Sequence, residues 1–180
     1  MFPLHVDSIT ELRLLGPHHA AEVFAAVAEN REHLARWLPW VVHTVRVEDT
    51  EEFFTTCEEE YEAGTTVVLG IWHENEFCGS VGTHGIDLAN RHAAIGYWLA
   101  QEQEGKGLVT RSCRVFLEYL FEERNMHRVE IRCATGNLRS AAIAERLGFQ
   151  LEGVTRGYQW LNGRFVDTRV YSLLQEEWTR

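Results

Sequence analysis

The chain has 180 residues, 45% hydrophobic and 24% charged, with three prolines and no low-complexity tract; this is the balance of one globular domain over 1–180 and excludes a disordered chain. No apolar run nears the ~20 residues of a membrane span, and Met1 to Asp7 shows neither the basic nor the apolar part of a secretory signal. A net charge of −10 argues against nucleic acid as a partner, because phosphate binding needs a basic surface.

Ile9 to Leu15 alternates as a strand and Gly16-Pro17 breaks it. Residues 17–29 read as a helix with Ala21, Phe24, Ala25 and Ala28 at helical spacing, and a short helix through Leu34 to Leu38 stops at Pro39. Asp49 is placed to cap a third helix, with Glu52 three residues on, Phe53, Cys57 and Tyr61 on its buried side, and Gly64 as its end. Val67 to Ile71 and Phe77 to Gly85 form two strands around the Glu74-Asn75-Glu76 turn, and a third runs from Ala93 to Leu99. Short connections imply an antiparallel meander. A helix from about Gly107 to Arg124 carries Val109, Cys113, Phe116, Leu117 and Leu120 on one face. Val129 to Cys133 is a strand, and Arg139 to Leu147 a helix ended by Gly148. Gln150 to Leu161 and Phe165 to Leu174 are strands joined at Asn162-Gly163, a strong hairpin signal. The sum is an α+β domain with a strand–helix–strand unit in its middle.

Charge is unevenly placed. Residues 48–62 hold eight acids and no base, leaving a net −2 elsewhere. The stretch reads either as a solvated helix face or as a field that attracts a cationic partner or substrate. Cys57, Cys78, Cys113 and Cys133 stand far apart without a C-x-x-C, so reduced thiols in a cytoplasmic protein are expected. Nine histidines show no zinc spacing, and no metal is expected.

Two segments carry chemistry. In the first, a strand ends at Trp98-Leu99, a loop holds Gln103, Gly105, Lys106 and Gly107, and a helix begins at Leu108-Val109-Thr110. Unpaired N–H groups at a helix start, with glycines that admit close approach, suit a pyrophosphate. A bare glycine turn would look the same. The loop is neither G-x-x-x-x-G-K-[ST] nor G-x-G-x-x-G, whose third glycine is replaced by Thr110. In the second segment, strand 130–134 leads into Asn137, placed as a helix N-cap, and Ser140 in the first turn.

Together these segments resemble the GNAT superfamily of acyl-CoA-dependent N-acetyltransferases, from about Leu12 to Leu174. Arg36-Trp37-Leu38-Pro39-Trp40, Ile95-Gly96-Tyr97-Trp98-Leu99, Gly105-Lys106-Gly107, Asn137-x-x-Ser140 and Leu151-Glu152-Gly153 are similar to the RimJ/RimL-type branch, whose named members acetylate ribosomal-protein N-termini. The resemblance implies a mostly antiparallel sheet flanked by helices, with a parallel pair that splays in its middle. It implies acetyl-CoA as co-substrate, a pantetheine arm in the splay, and the pyrophosphate on backbone N–H groups between Gln103 and Thr110. Asn137 would bond the arm and Ser140 would lie near the thioester sulfur. A homodimer is implied by analogy.

The sequence departs from the family at three places. The tyrosine that many members carry seven residues after the Asn is Ala144, which leaves Ser140 as the group to meet the sulfur. The usual Gln or Arg before the first loop glycine is Glu102. The Glu that RimL-type enzymes can carry before the aromatic-Leu-Asn-Gly turn is Gln159, and an amide takes no proton at neutral pH. His84 or Asp87 on the meander could substitute as base. Glu152 reads either as a branch feature or as a structural ion-pair residue. Trp37, Trp40, Tyr158, Gln159 and Trp160 would frame the acceptor. The expected reaction is acetyl transfer to a primary amine, foremost a protein N-terminus. The alternatives are a small cationic amine such as a polyamine or aminoglycoside, a non-catalytic CoA-binding module, and a nucleotide-binding module.

Overall fold

A computed structural model describes residues 2–179. In chain order the elements are β1 (Leu4–His5), β2 (Thr10–Leu14), α1 (Ala20–Glu29), α2 (Arg31–Leu34), α3 (Val47–Glu62), β3 (Val68–His73), β4 (Glu76–Asp87) and β5 (His92–Leu99). Then follow α4 (Leu108–Glu118), β6 (Arg128–Ala134), α5 (Leu138–Arg146), β7 (Gln150–Leu161) and β8 (Arg164–Leu174). All strands join one mixed sheet in the order β1-β2-β3-β4-β5-β6-β8-β7. β3, β4 and β5 form the expected meander, which β2 and β1 extend at its edge; β5 and β6 are parallel, and the remaining pairs are antiparallel. The β3–β4 turn places Glu74 and Asn75 at φ 53° and 66°, and the β7–β8 turn places Asn162 and Gly163 at 51° and 80°. Left-handed pairs of this kind match the twist of a two-residue hairpin.

Alternation along the strands divides the core. Leu69, Ile71, Val81, Ile95 and Ile131 pack under α4 and α5 with Phe116, Leu117 and Ala144. Trp72 packs on the other face with Val23, Val27, Leu34 and Phe54 of α1–α3, and Phe77 and Trp98 border that cluster. α1 buries a face one residue away from the one expected, and α3 buries Cys57 and packs Tyr61 on the core as expected but exchanges Phe53 for Phe54. α1 buries Ala20, Val23 and Val27, while Ala21, Ala25 and Ala28 are exposed. α3 buries Thr50, Phe54 and Cys57, while Phe53 is exposed. Asp49 is not the N-cap of α3. The helix starts after Arg46, and Asp49 Oδ2 accepts from the backbone N–H of Val45 and Arg46, each at 2.8 Å. The second helix also lies earlier than expected, ending at Leu34; Pro39–Val42 then forms a separate 3₁₀ turn.

The helix expected to reach Arg124 is α-helical to Glu118 and continues as a π-helical turn, Tyr119–Glu123. Beyond the sequence reading, β1 pairs with β2 at the sheet edge.

Candidate active site

The parallel pair holds together only from His92↔Arg128 to Ile95↔Ile131. Past Ile95 the two strands separate, as β5 stays on β4 to Leu99 while β6 stays on β8 to Ala134. The N–H and C=O groups that face the gap lose their ladder partners, so an extended ligand can pair there like an added strand. A cleft of about 1100 Å³ runs through this region, bounded by α1, α3, β4, β5, β6, the start of α5 and β7. Trp37, Trp40, His84, Asp87, Trp98, Asn137, Ser140, Tyr158 and Gln159 all line it.

His84 owes its position to a break in register. β4 and β5 pair at Thr83↔Ile95 and again at Ile86↔Ala93, so His84 and Gly85 form a bulge, with Gly85 at φ 80°. A bulge re-aims a side chain, and the ring lies over Gly96, where an added Cβ would fall 2.1 Å from Nε2. More than a third of His84 stays open, yet the cleft walls desolvate it and push its pKa below the ordinary 6.5. A neutral imidazole at pH 7 follows. Asp87 is committed elsewhere: its carboxylate accepts from the side chain of Asn90 at 2.7 Å and from its backbone N–H at 2.9 Å, and these bonds hold its pKa down.

At the start of α5, Asn137 Oδ1 caps the helix by accepting from Ser140 N–H at 3.2 Å, which leaves the Asn137 amide N–H groups to donate. Ser140 Oγ lies 3.0 Å from the Tyr97 hydroxyl. Cys133, on β6, also lines the cleft; burial raises its thiol's pKa and a hydrogen bond to Ser140 opposes the rise. Ala144 is fully buried in the α4/α5 core. Tyr97 and Cys133 were not singled out from sequence. They reach Ser140 only through the pairing of distant segments, which no local pattern encodes.

The acceptor side is aromatic. Trp37 and Trp40 sit on the segment between α2 and α3, which Arg31 fastens by donating to Val41 O at 2.6 Å and Thr44 O at 2.7 Å. The Trp37 ring lies near Gly136 and the Trp40 ring 6.4 Å from that of Trp98. Phe53, turned out of the core, lines the same cleft. A second bulge, between Thr155↔Thr168 and Gln159↔Val166, presents Tyr158 and Gln159; Gly157 holds it at φ 59° by donating to Asp167 Oδ1 at 2.7 Å. Trp160 does not line the cleft. It packs edge-on against Phe165, centroids 4.9 Å apart, and is 56% exposed.

The glycine loop lies outside the cleft lining. Gly105 and Gly107 take φ 80° and 72°, and Gly107 is the N-cap of α4. Arg111 N–H bonds Gly107 O, so the N–H groups of Leu108, Val109 and Thr110 have no acceptor within the helix. The side chain of Leu108 is buried, as is that of Leu99, so their contribution to an anion site is by backbone. Lys106 Nζ donates to Gln103 Oε1 at 2.7 Å and stays exposed. Glu104 is drawn aside to Arg139 of α5 and to His33 Nε2 at 3.2 Å. Glu102 is exposed. The donors suit a pyrophosphate.

Glu152 has a structural setting. It pairs with Arg128 NH2 at 2.6 Å and accepts from Ser172 Oγ at 2.8 Å, and these bonds lower its pKa to about 2. Arg128 also bridges to buried Glu130 at 2.7 Å, and Arg132 reaches Glu130 at 2.9 Å. Among the described residues no group of three or more His, Cys, Asp or Glu could hold a metal ion, and no helix is long and apolar enough to cross a membrane.

Comparison with known proteins agrees with this geometry. Residues 10–150 match the acetyltransferase (GNAT) domain model. YdaF of Bacillus subtilis, named as a candidate ribosomal N-acetyltransferase, is 35% identical over 99% of this chain and 98% of its own. The ribosomal-protein-serine acetyltransferase of Escherichia coli is 25% identical over 94% of each chain. The solved structure of RimL, a ribosomal-protein alpha-N-acetyltransferase in complex with coenzyme A, superposes with a TM-score of 0.95 at 26% identity, covering 98% of this chain and 99% of that one. A sheet splayed between β5 and β6, a glycine loop ahead of α4 and an Asn-capped α5 are therefore the frame of an acetyl-CoA-dependent N-acetyltransferase, and the chain belongs to the GNAT family, on its RimJ/RimL-type branch.

Proposed function

We propose that the chain acts as one domain over 1–180 and acetylates the α-amine of a protein N-terminus of ribosomal-protein type, with His84 as the base that accepts the amine's proton. The observation that carries this reading is the placement of the His84 imidazole, on a bulge and over Gly96, in a wide, aromatic-rimmed cleft beside the splayed strands. Such a cleft admits the end of an extended chain. His84 takes the proton as the amine attacks the thioester carbonyl, a role worth roughly 10²–10⁴-fold in rate. Ser140 Oγ–H donates to the departing sulfur, and Asn137 Nδ2 holds the pantetheine arm. The N–H groups of α4's first turn and of the Gln103–Gly107 loop, with Lys106, hold the pyrophosphate. Trp98 and the backbone at Leu99 border the arm. Trp37, Trp40, Tyr158 and Gln159 frame the acceptor, while Trp160 supports the β7–β8 hairpin that carries Tyr158 and Gln159. On this reading the enzyme works in the cytoplasm with its four cysteines as thiols, and as a homodimer.

A small cationic amine is the second reading, favoured by the exposed acids Glu51, Glu52, Glu58, Glu59 and Glu62 of α3. The carboxylates inside the cleft do not support it. Asp49 bonds Val45 and Arg46, Glu60 bonds Thr66, Asp87 bonds Asn90, and Glu130 is paired to two arginines. None is free to take an ammonium group.

The test measures thiol release from acetyl-CoA with three acceptors: a lysine-free peptide with a free N-terminus, the same peptide N-blocked with one lysine added, and spermidine. Turnover confined to the free N-terminus is expected. Faster turnover of spermidine would reject the peptide reading.

A further inference from the structure

We propose that Tyr97 is a positioning residue for the leaving sulfur: its hydroxyl donates to Ser140 Oγ and so turns the Ser140 Oγ–H toward the thioester. The proposal rests on Ser140 as the group that meets the sulfur.

The geometry is specific. Tyr97 stands on β5 just where that strand parts from β6, one residue past Gly96. Its ring points to the α4/α5 face, packed against the core that holds Cys113. Its hydroxyl lies 3.0 Å from Ser140 Oγ and 3.2 Å from Ser140 O. A phenol has one proton and a serine hydroxyl has one. Two arrangements satisfy this pair. In the first, the phenol donates to Oγ and the serine proton points away from Tyr97. In the second, the phenol donates to the carbonyl, and the serine proton is spent on the phenol oxygen. Only the first offers a donor to the cleft. An anionic sulfur in the cleft selects it, because a charge-assisted hydrogen bond is about twice as strong as a neutral one.

Ser140 is also fixed from its backbone side, where its N–H donates to Asn137 Oδ1 at 3.2 Å. Donors in series polarise one another. A tyrosine that donates to Oγ therefore strengthens the donation from Oγ to sulfur. The chain of bonds ends there. Burial first, then neighbouring thiols, push the Tyr97 phenol far above its ordinary 10, so it keeps its proton. When the C–S bond breaks, the electron pair stays on sulfur as a thiolate held by Ser140. The proton that completes the CoA thiol comes from the ammonium side through His84 or from water, and Tyr97 is unchanged.

The experiment compares binding of CoA and of desulfo-CoA by calorimetry, under reducing conditions, from pH 6.5 to 9.5, for the wild type, Tyr97→Phe, Ser140→Ala and the double variant. In the wild type the preference for CoA over desulfo-CoA is expected to grow about tenfold as the CoA thiol ionises. Each single variant is expected to lose most of that growth, the double variant no more than either, and desulfo-CoA affinity to stay level throughout. Turnover of Tyr97→Phe is expected to fall about fivefold with KM for acetyl-CoA unchanged. If Ser140→Ala loses the pH-dependent preference and Tyr97→Phe keeps it, Tyr97 has no such role. If neither loses it, Ser140 does not meet the sulfur and both readings fall. A Tyr97→Phe variant that weakens CoA and desulfo-CoA equally marks the hydroxyl as structural only and also overturns the proposal. Ser140→Ala suits the first turn of a helix, so this arm remains informative even if Tyr97→Phe folds poorly.

Discussion

His84 lies against Gly96 so closely that a Cβ at position 96 would sit 2.1 Å from its Nε2. The glycine pairs with Gly82 across β4–β5, and its missing side chain leaves the space in which the imidazole rests. Gly96→Ala is expected to leave the fold intact, displace the ring and lower kcat at least tenfold, a loss typical of a misplaced base. Circular dichroism and initial rates check this; wild-type kcat in a folded Gly96→Ala would show that the ring's position does not matter.

The pH profile follows from the same site. A base must be neutral to act, and burial holds His84 below the ordinary 6.5. Activity, as kcat/KM for the amine-saturated donor reaction, is expected to fall on the acid side with a midpoint below 6.5. In His84→Gln that acid limb is expected to disappear along with most of the activity. A limb unchanged in His84→Gln would belong to another group.

The ion-pair cluster on β6 predicts a stability change in acid. Glu152 titrates at about 2 in the folded chain against an ordinary 4.5. A depressed carboxylate stabilises the fold above its unfolded value, and that stabilisation is lost as pH falls through the interval from 4.5 to about 2. The side chain is 44% exposed, so water screens the pair. Glu152→Gln is expected to cost about 1 kcal/mol at pH 7 and progressively less toward pH 2, read by urea unfolding.

Gly107 ties the donor site to backbone conformation. Its φ of 72° is left-handed, and a Cβ there would meet Arg111 NH1 at 3.1 Å. Gly107→Ala is expected to cost about 1 kcal/mol and to raise KM for acetyl-CoA several-fold, with KM for the amine unchanged. In the wild type, acetyl-CoA at ~100 times its Kd is expected to add about 2.7 kcal/mol and raise Tm by roughly 5–10 °C, with ATP giving none.

Much of this architecture is legible in the chain. The strands read out because alternation and the Asn162-Gly163 turn are local signals. The separation of β5 from β6 followed from the family resemblance and the Asn137 cap from its place ahead of the helix, and both are in place. The misreading in α3 has a physical cause. Phe53 and Phe54 are adjacent, and either satisfies a helical period; what chose Phe54 was the sheet surface beneath it, bearing Trp72 and Val68. Phe53 is thereby released to the cleft. The site's polar cluster was legible only in part. Ser140 and Tyr97 each stand in a motif, but their meeting depends on how β5 lies beside α5, which neither motif describes. Trp160 shows the opposite limit. A one-residue step from Gln159 along a strand changes faces, so it packs on Phe165 instead of lining the cleft.

The most direct test of the account is the turnover of His84→Ala with a free-N-terminus peptide, with and without added imidazole. The account predicts a loss of about 10²–10⁴ in kcat, unchanged affinity for acetyl-CoA, and partial recovery as imidazole fills the space over Gly96. Turnover by His84→Ala at the wild-type rate would contradict it, and the proton of the amine would then leave by another route.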